Sequence, residues 1–181
     1  MTGPVSWNPV VRSLATSAGL DPLDNARLFA LVYMAAMDAY VAVFDAKYAY
    51  EFWRPITAIR NGDEDGNAAT ESDSAWLPLI DTPLHPEYSC AHYSTAGAVG
   101  AVLEAQFGRG WVPTIAMTST TSPSVTRRWT RIADYVTEVD RARVWGGVHF
   151  RSSTEVGEAM GRKIGERAVR DYLTPNASAE P

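Results

Sequence analysis

The chain has 181 residues, 46% hydrophobic and 20% charged, which fits a single folded domain and excludes a disordered or fibrous chain. Its formal net charge of -5 provides no broad positive field, so nucleic acid and acidic membrane surfaces are not expected partners, and any bound anion must be held by a few local basic groups. One cysteine, Cys90, excludes an internal disulfide framework and leaves the compartment open.

The N-terminal segment carries Pro4 and Pro9 among scattered polar groups, not a basic patch followed by an apolar run. No secretory leader is expected there, and both export and a cytoplasmic location stay open. Asp24 reads as the N-cap of a helix over 25–50, rich in Ala, Leu and Met and free of Gly and Pro. Leu28, Phe29, Leu31, Val32, Met34, Met37, Val41, Val43 and Phe44 fall on nearly every face of it, which predicts a central helix surrounded by others. The apolar run 28–44 contains Asp38 and falls short of the roughly 18 to 20 uncharged residues that span a bilayer, so no transmembrane segment is expected. Pro55 disfavours helix at Arg54 and closes or bends the element.

Asn61-Gly-Asp-Glu-Asp-Gly-Asn67 has the composition of a calcium loop but not its acid spacing or its final Glu, and reads as a solvated turn. Thr82-Pro-Leu-His-Pro86 continues the irregular region. A helix follows over 94–107, with Ala and Gly small enough for close helix packing, and then a connection over 108–123 with no strand pattern beyond short stretches such as 111–117. Two further helices, 127–145 and 153–172, are separated by Gly146-Gly147 as a C-terminal stop. Ser152 with Glu155 fits a capping box for the second, and the tail frays from Thr174. The expected architecture is mainly α, one domain over 1–181 with its core at about 25–172.

Three segments place basic groups and histidines at helix edges, where anions bind. Lys47 and Arg54, two helical turns apart, would share a face in a helix continuing that far, offering a compact charge and a planar fork of donors. The neighbours Tyr48, Tyr50, Phe52 and Trp53 imply partial burial; without it such a pair is a solvated surface. His85-Pro-Glu-Tyr-Ser-Cys-Ala-His92 runs into a helix, so backbone N–H groups near Cys90 and Ala91 can point at an oxyanion beside His92. Arg143-Val-Trp-Gly-Gly-Val-His149 joins one helix end to the next helix start. Each histidine alone could equally be a structural residue. A zinc site from His85, His92 and His149 satisfies ligand count, but three neighbouring cations would repel the metal.

The spacing of Lys47, Arg54-Pro55, the His92 turn, Arg143 and His149 resembles the tripartite signature of the vanadium haloperoxidase and type 2 phosphatidic-acid phosphatase (PAP2) superfamily. The words Asp45-Ala-Lys-Tyr48, Phe52-Trp-Arg-Pro-Ile-Thr-Ala-Ile-Arg60, His85-Pro-Glu-Tyr88 and Gly146-Gly-Val-His-Phe-Arg151 are similar to the bacterial haloperoxidase-like branch, and the resemblance covers 25–172. It implies a helical bundle of that type, the C-terminal core of a longer architecture. It further implies that Lys47, Arg54 and Arg143 hold the oxygens of vanadate or phosphate, with Cys90 and Ala91 at the anion turn. His149 would be the one vanadium ligand, or the nucleophile of a phosphohistidine, and His92 the acid-base group. His85 resembles a second histidine of bromide-oxidising members, or is a turn residue fixed by Pro86. Two departures stand out: Cys90-Ala91 replaces Ser-Gly, and Ser153 stands where the family often has an Asp behind the axial histidine.

The activity implied is oxidation of halide by hydrogen peroxide with orthovanadate as cofactor. The alternatives are a metal-free acid phosphatase acting on a phosphate ester, and a non-catalytic anion-binding domain. The 28–44 run also predicts a homo-oligomer, or a partner segment supplying absent helices, through Phe29, Val32, Tyr33 and Met37; otherwise the connections 61–86 and 108–123 must fold back as cover.

Overall fold

The structure, a computed structural model, describes residues 4–119 and 122–174; the tail beyond Thr174 lies outside the described residues. After a short 3-10 turn at Pro4–Trp7 come α1 (Asn8–Ser17), α2 (Pro22–Tyr50), α3 (Pro55–Arg60), α4 (Ala91–Phe107), β1 (Ile115–Ser119), β2 (Ser122–Trp129), α5 (Ile132–Trp145) and α6 (Arg151–Asp171). The bundle is mainly helical, as expected. The solvated turn after α3 is present, opened by a second 3-10 turn at Gly62–Glu64.

α2 starts three residues earlier than expected. Asp21, not Asp24, is the cap: its backbone is extended, its carboxylate accepts from the Asp24 N–H at 2.9 Å, and Pro22 supplies a first helical residue that needs no N–H partner. The helix buries one stripe, Leu28, Leu31, Val32, Ala35, Ala36, Ala39, Val43 and Lys47, at the i, i+3, i+4 spacing of a single face. Met37 and Val41 are 51% and 68% exposed, so α2 is a flank of the bundle and not its centre. An 18-residue window within Pro22–Arg60 has a mean hydropathy of 1.6, apolar enough by length and composition alone to cross a membrane; here the stripe of α2 packs on α4 and α6.

The central helix is α4, buried along nearly its whole length from Ala91 to Glu104. It starts at Ala91, ahead of the expected residue 94, and its modest side chains win the centre through closeness. A Cβ on Gly161 would strike the Ser94 carbonyl oxygen, one on Gly165 that of Ala98, and one on Gly97 would lie 2.7 Å from that of Glu158. α4 and α6 therefore meet backbone to backbone, a contact that apolar periodicity does not report. Ser94 Oγ crosses the seam to donate to the Gly157 carbonyl at 3.1 Å.

α1 has no counterpart among the elements expected from the sequence. It buries Val10, Val11, Leu14 and Ala15, sets Trp7 edge-on to Tyr135 at 5.3 Å, and accepts a 2.7 Å hydrogen bond from Tyr33 at Asn8. It thus supplies part of the cover assigned to absent helices. Of the four proposed contact residues Val32 is buried, Phe29 and Tyr33 are half-buried, and Met37 stays exposed.

Residues 127–129, expected in a helix, form the end of β2, paired antiparallel with β1 from Ile115 opposite Trp129. Arg127 and Trp129 both donate to Glu138 of α5, at 2.7 and 2.9 Å, so the strand is pinned to the helix it was expected to begin. The capping box at Ser152 is also absent: α6 starts at Arg151, and its N-cap Phe150 has no side-chain cap of its own.

The helix seam predicts that Gly161→Ala lowers stability by about 1 to 3 kcal/mol, the usual cost of forcing volume into a packed contact. Gly110→Ala, where an added Cβ meets nothing within 4 Å, should stay within about 0.5 kcal/mol of the parent. Urea unfolding of both variants checks this, and equal midpoints would contradict the close approach.

Candidate functional site

The buried stripe of α2 ends at Lys47, which delivers an ammonium group into the protein. Lys47 has no exposed surface, and its Nζ donates to the backbone oxygens of Pro86 at 2.9 Å and Glu87 at 2.7 Å. Burial, reinforced by repulsion from Arg54, pulls its pKa down to about 8. One of its three N–H donors remains for another partner.

Arg54 does not share a helix with Lys47. The helix stops at Tyr50, Glu51 turns into the left-handed region at φ 46°, and Arg54 sits extended as the N-cap of α3, as Pro55 requires. The two cations meet through a chain reversal. Arg54 is 6% exposed, and its five contacts match the five donors of a guanidinium. Nε donates to the His85 carbonyl at 3.0 Å. Nη1 donates to the Val148 carbonyl at 2.8 Å and to His149 Nε2 at 3.2 Å. Nη2 donates to His85 Nδ1 at 3.0 Å and to the Pro86 carbonyl at 3.3 Å. Burial lowers its pKa against the opposing pull of Glu87.

Because a guanidinium only donates, His149 Nε2 accepts, and the ring proton is on Nδ1, which donates to Glu87 Oε1 at 2.6 Å. Burial pulls the His149 pKa down to about 4 although Glu87 raises it, so the contact joins a neutral imidazole to a carboxylate. His92, half-buried in the first turn of α4, is pulled down to about 3 by burial and then by Arg143 and His149. His85 is half-buried, edge-on to Phe44 at 5.2 Å, and lowered chiefly by burial.

Arg143, from the last turn of α5, completes the cluster. Its Nε is buried and has no acceptor among the described residues. Burial lowers its pKa, opposed by Cys90. Cys90 caps α4 with its thiol fully buried and pushed up to about 11 by burial, against the backbone N–H groups of Tyr93 and His92, which lower it. Ala91 is the buried first residue of the helix. Ser153 is buried with an unpartnered hydroxyl, and its carbonyl accepts from the Cys90 N–H at 3.3 Å, tying the start of α6 to the start of α4.

The residues singled out from the sequence therefore converge: Lys47, Arg54, His85, Cys90, His92, Arg143 and His149 form one cluster, each within electrostatic or hydrogen-bonding reach of at least one other. Glu87 is the functional group that sequence reasoning misses. It stands inside His85-Pro-Glu-Tyr88 with no role attached, and its one signal is a carboxylate in a segment whose other chemistry is basic. It is completely buried, accepts from both His149 Nδ1 and the Phe150 N–H, at 2.6 and 3.0 Å, and leaves Oε2 without a partner. Lys47 and Arg54 thus face one carboxylate, and this surplus positive charge together with the orphaned Arg143 Nε suits a bound oxyanion. Among the described residues no group of His, Cys, Asp and Glu is arranged to hold a metal ion by itself.

The depressed histidines set a pH window for stability. Both folded values, about 3 and about 4, lie below the ordinary 6.5 of an unfolded chain, so between them the unfolded chain binds more protons. Their contribution is full above pH 6.5 and is lost as the pH drops from there towards 4, by at most about 1.4 kcal/mol per pH unit for each histidine. Urea unfolding at pH 7, 5.5 and 4.5 should show the loss, with a shallower slope in His92→Gln; a flat profile would contradict neutral buried imidazoles.

The sequence pattern of the VCPO second helical-bundle domain matches residues 27–175. A vanadium chloroperoxidase of Curvularia inaequalis is 32% identical over 117 residues, covering 54% of this chain and 19% of that protein. The crystal structure of a bacterial vanadium-dependent iodoperoxidase superposes with a TM-score of 0.80 at 25% identity, covering 92% of this chain and 38% of its own. A holo-type bacterial vanadium-dependent chloroperoxidase superposes with a TM-score of 0.73 at 19% identity, covering 92% and 40%, which shows the fold. The chain spans about a fifth of the fungal relative and about two fifths of the bacterial structures. With its pattern matched over most of its length, the chain belongs to the family of the VCPO second helical-bundle domain, the helical domain of the vanadium haloperoxidases.

Proposed function

We propose that this chain carries a vanadate-dependent haloperoxidase site that oxidises halide with hydrogen peroxide. The observation that carries the proposal is a neutral His149 whose Nε2 accepts from Arg54 with Lys47 close enough to act on the ring, beside an Arg143 Nε that has no acceptor among the described residues. The residues present fit an oxyanion of vanadate shape and charge. Arg143 offers its unpartnered Nε, Lys47 its third N–H, and Arg54 the Nη1 donor now resting on His149 Nε2, which an anion at that nitrogen would take over. Bound there, vanadate would supply a Lewis-acidic centre that activates peroxide. His92, kept neutral by burial and its cationic neighbours, is placed to accept a proton, and a negative ion beside it would raise its basicity. A buried Cys90 thiol is a weak donor, so at the α4 start the backbone N–H groups carry the anion contact.

The same donors would hold phosphate, and His149 Nε2 would equally serve as the nucleophile of an acid phosphatase, so orthovanadate titration, peroxide-dependent halide oxidation and phosphate-ester hydrolysis are measured together. The expected pattern is vanadate binding in competition with phosphate, halide oxidation only with vanadate, and no ester turnover. Ester hydrolysis without vanadate would replace the proposal with the phosphatase, and binding without either activity would replace it with an anion-binding domain. Arg143→Ala should weaken vanadate at least about tenfold, the loss of one charged hydrogen-bonding group. His149→Ala should abolish binding. His92→Ala should keep part of the binding and lose most turnover; full activity in that variant would overturn its role.

The proposal extends to assembly. Met34, Met37, Val41 and Tyr48 leave a 37 to 68% exposed apolar strip on α2, and we propose that a homo-oligomer or a further segment covers it. Light scattering should show a species larger than one chain; a monodisperse monomer across concentration would remove this part and leave the anion site standing.

A further inference from the structure

We propose that Glu87 is the positioning residue for His149, a carboxylate supplied from the irregular segment before α4 that fixes the ring's tautomer and rotation so that Nε2 is presented to the oxyanion. The inference rests on the proposed role of His149 and concerns what makes that nitrogen available.

The ring is clamped from both sides. Glu87 Oε1 takes the Nδ1 proton at 2.6 Å, and Arg54 Nη1 donates to Nε2 at 3.2 Å, so one edge must be a donor and the other an acceptor. The opposite tautomer would set an N–H against a guanidinium N–H and a bare lone pair against a carboxylate, losing both hydrogen bonds and adding repulsion. The same Oε1 accepts from the Phe150 N–H at 3.0 Å, which couples the ring to the backbone that starts α6. This is the N-cap donor that a local Glu would satisfy in a capping box, and here a tertiary carboxylate does so. Ring orientation and helix start are thereby held by one atom.

Glu87 is in turn fixed where it stands. Its N–H donates to the Phe52 carbonyl at 2.9 Å and its own carbonyl accepts from Lys47 Nζ at 2.7 Å, so backbone bonds hold it on both sides of its Cα. Ser153, one turn beyond His149, does not share in orienting the ring, since it is buried with its hydroxyl unpartnered. A carboxylate with no exposed surface and one oxygen unsatisfied is expensive to keep. A role confined to capping α6 would be filled by a neutral acceptor; the charge is explained by the imidazole it faces.

Nitrogen NMR on protein labelled with 15N-histidine, recorded without vanadate at neutral pH, reads the clamp directly, with His149→Gln identifying the signal. Wild type should show His149 as the Nδ1–H tautomer with a strongly downfield ring proton. Glu87→Gln, which retains an acceptor oxygen, should keep the tautomer, move that proton upfield, and weaken orthovanadate binding severalfold. Glu87→Leu should populate both tautomers and weaken binding by tenfold or more. An Nε2–H tautomer in the wild type, or a His149 proton unmoved in Glu87→Gln, overturns the proposal, and the Gln variant decides alone if the Leu variant does not fold. Because both NMR readings are taken on anion-free protein, a wild type that keeps the clamp and binds no vanadate overturns the function proposed for His149, not the positioning.

Discussion

Two cations with almost no contact with water, Lys47 and Arg54, impose the condition that the rest of the site obeys: every donor they carry needs an oxygen or nitrogen inside the protein. The carbonyls of His85, Pro86, Glu87 and Val148 and the ring nitrogens of His85 and His149 meet that need for all but one Lys47 N–H. This accounts for a stretch without regular structure being held in a defined path between α3 and α4. Its backbone, with no helix or strand to satisfy it, turns inward and becomes the lining of a cationic centre. Removing either cation would strand several carbonyls, so loop and site stand or fall together.

The helices aim the site through contacts of very different kinds. α2 delivers Lys47 by running a continuous stripe of small apolar residues down to it. α4 and α6 deliver His92 and His149 because Gly157, Gly161 and Gly165 let two backbones touch, which brings the start of one helix against the start of the other. Larger residues in that seam would spread the two histidines apart before they reached the chemistry. Burial then does the electrostatic work, holding three imidazoles neutral among fixed positive charges while one carboxylate orients the innermost.

Much of this is legible in residue types and spacing. Helix-rich composition, the Pro55 break, the Gly146-Gly147 stop and the arginines flanking His149 all carry local signals, and each is present in the structure. What is not legible depends on partners distant in the chain. Glu87 draws its meaning from His149, 62 positions away, so nothing near it in the sequence assigns it a role. α4 is central because of backbone approach, which residue hydrophobicity understates. The start of α6 differs from the expected Ser152 cap because its cap comes from Glu87 and not from a nearby serine. Arg127 and Trp129 are held in β2 by hydrogen bonds to Glu138 of the following helix, which local helix propensity does not report. The way Lys47 and Arg54 meet also differs from the expected shared helix face, since the chain reverses between them.

The central claim is that an oxyanion completes this cluster at His149 Nε2, and a crystal structure of the protein grown with orthovanadate tests it most directly. The account predicts an anion within bonding distance of Nε2, Arg54 Nη1 and the Arg143 fork turned onto its oxygens, and Nδ1 still on Glu87. An anion bound elsewhere on the surface, with Arg54 still hydrogen-bonded to His149 Nε2, would contradict it.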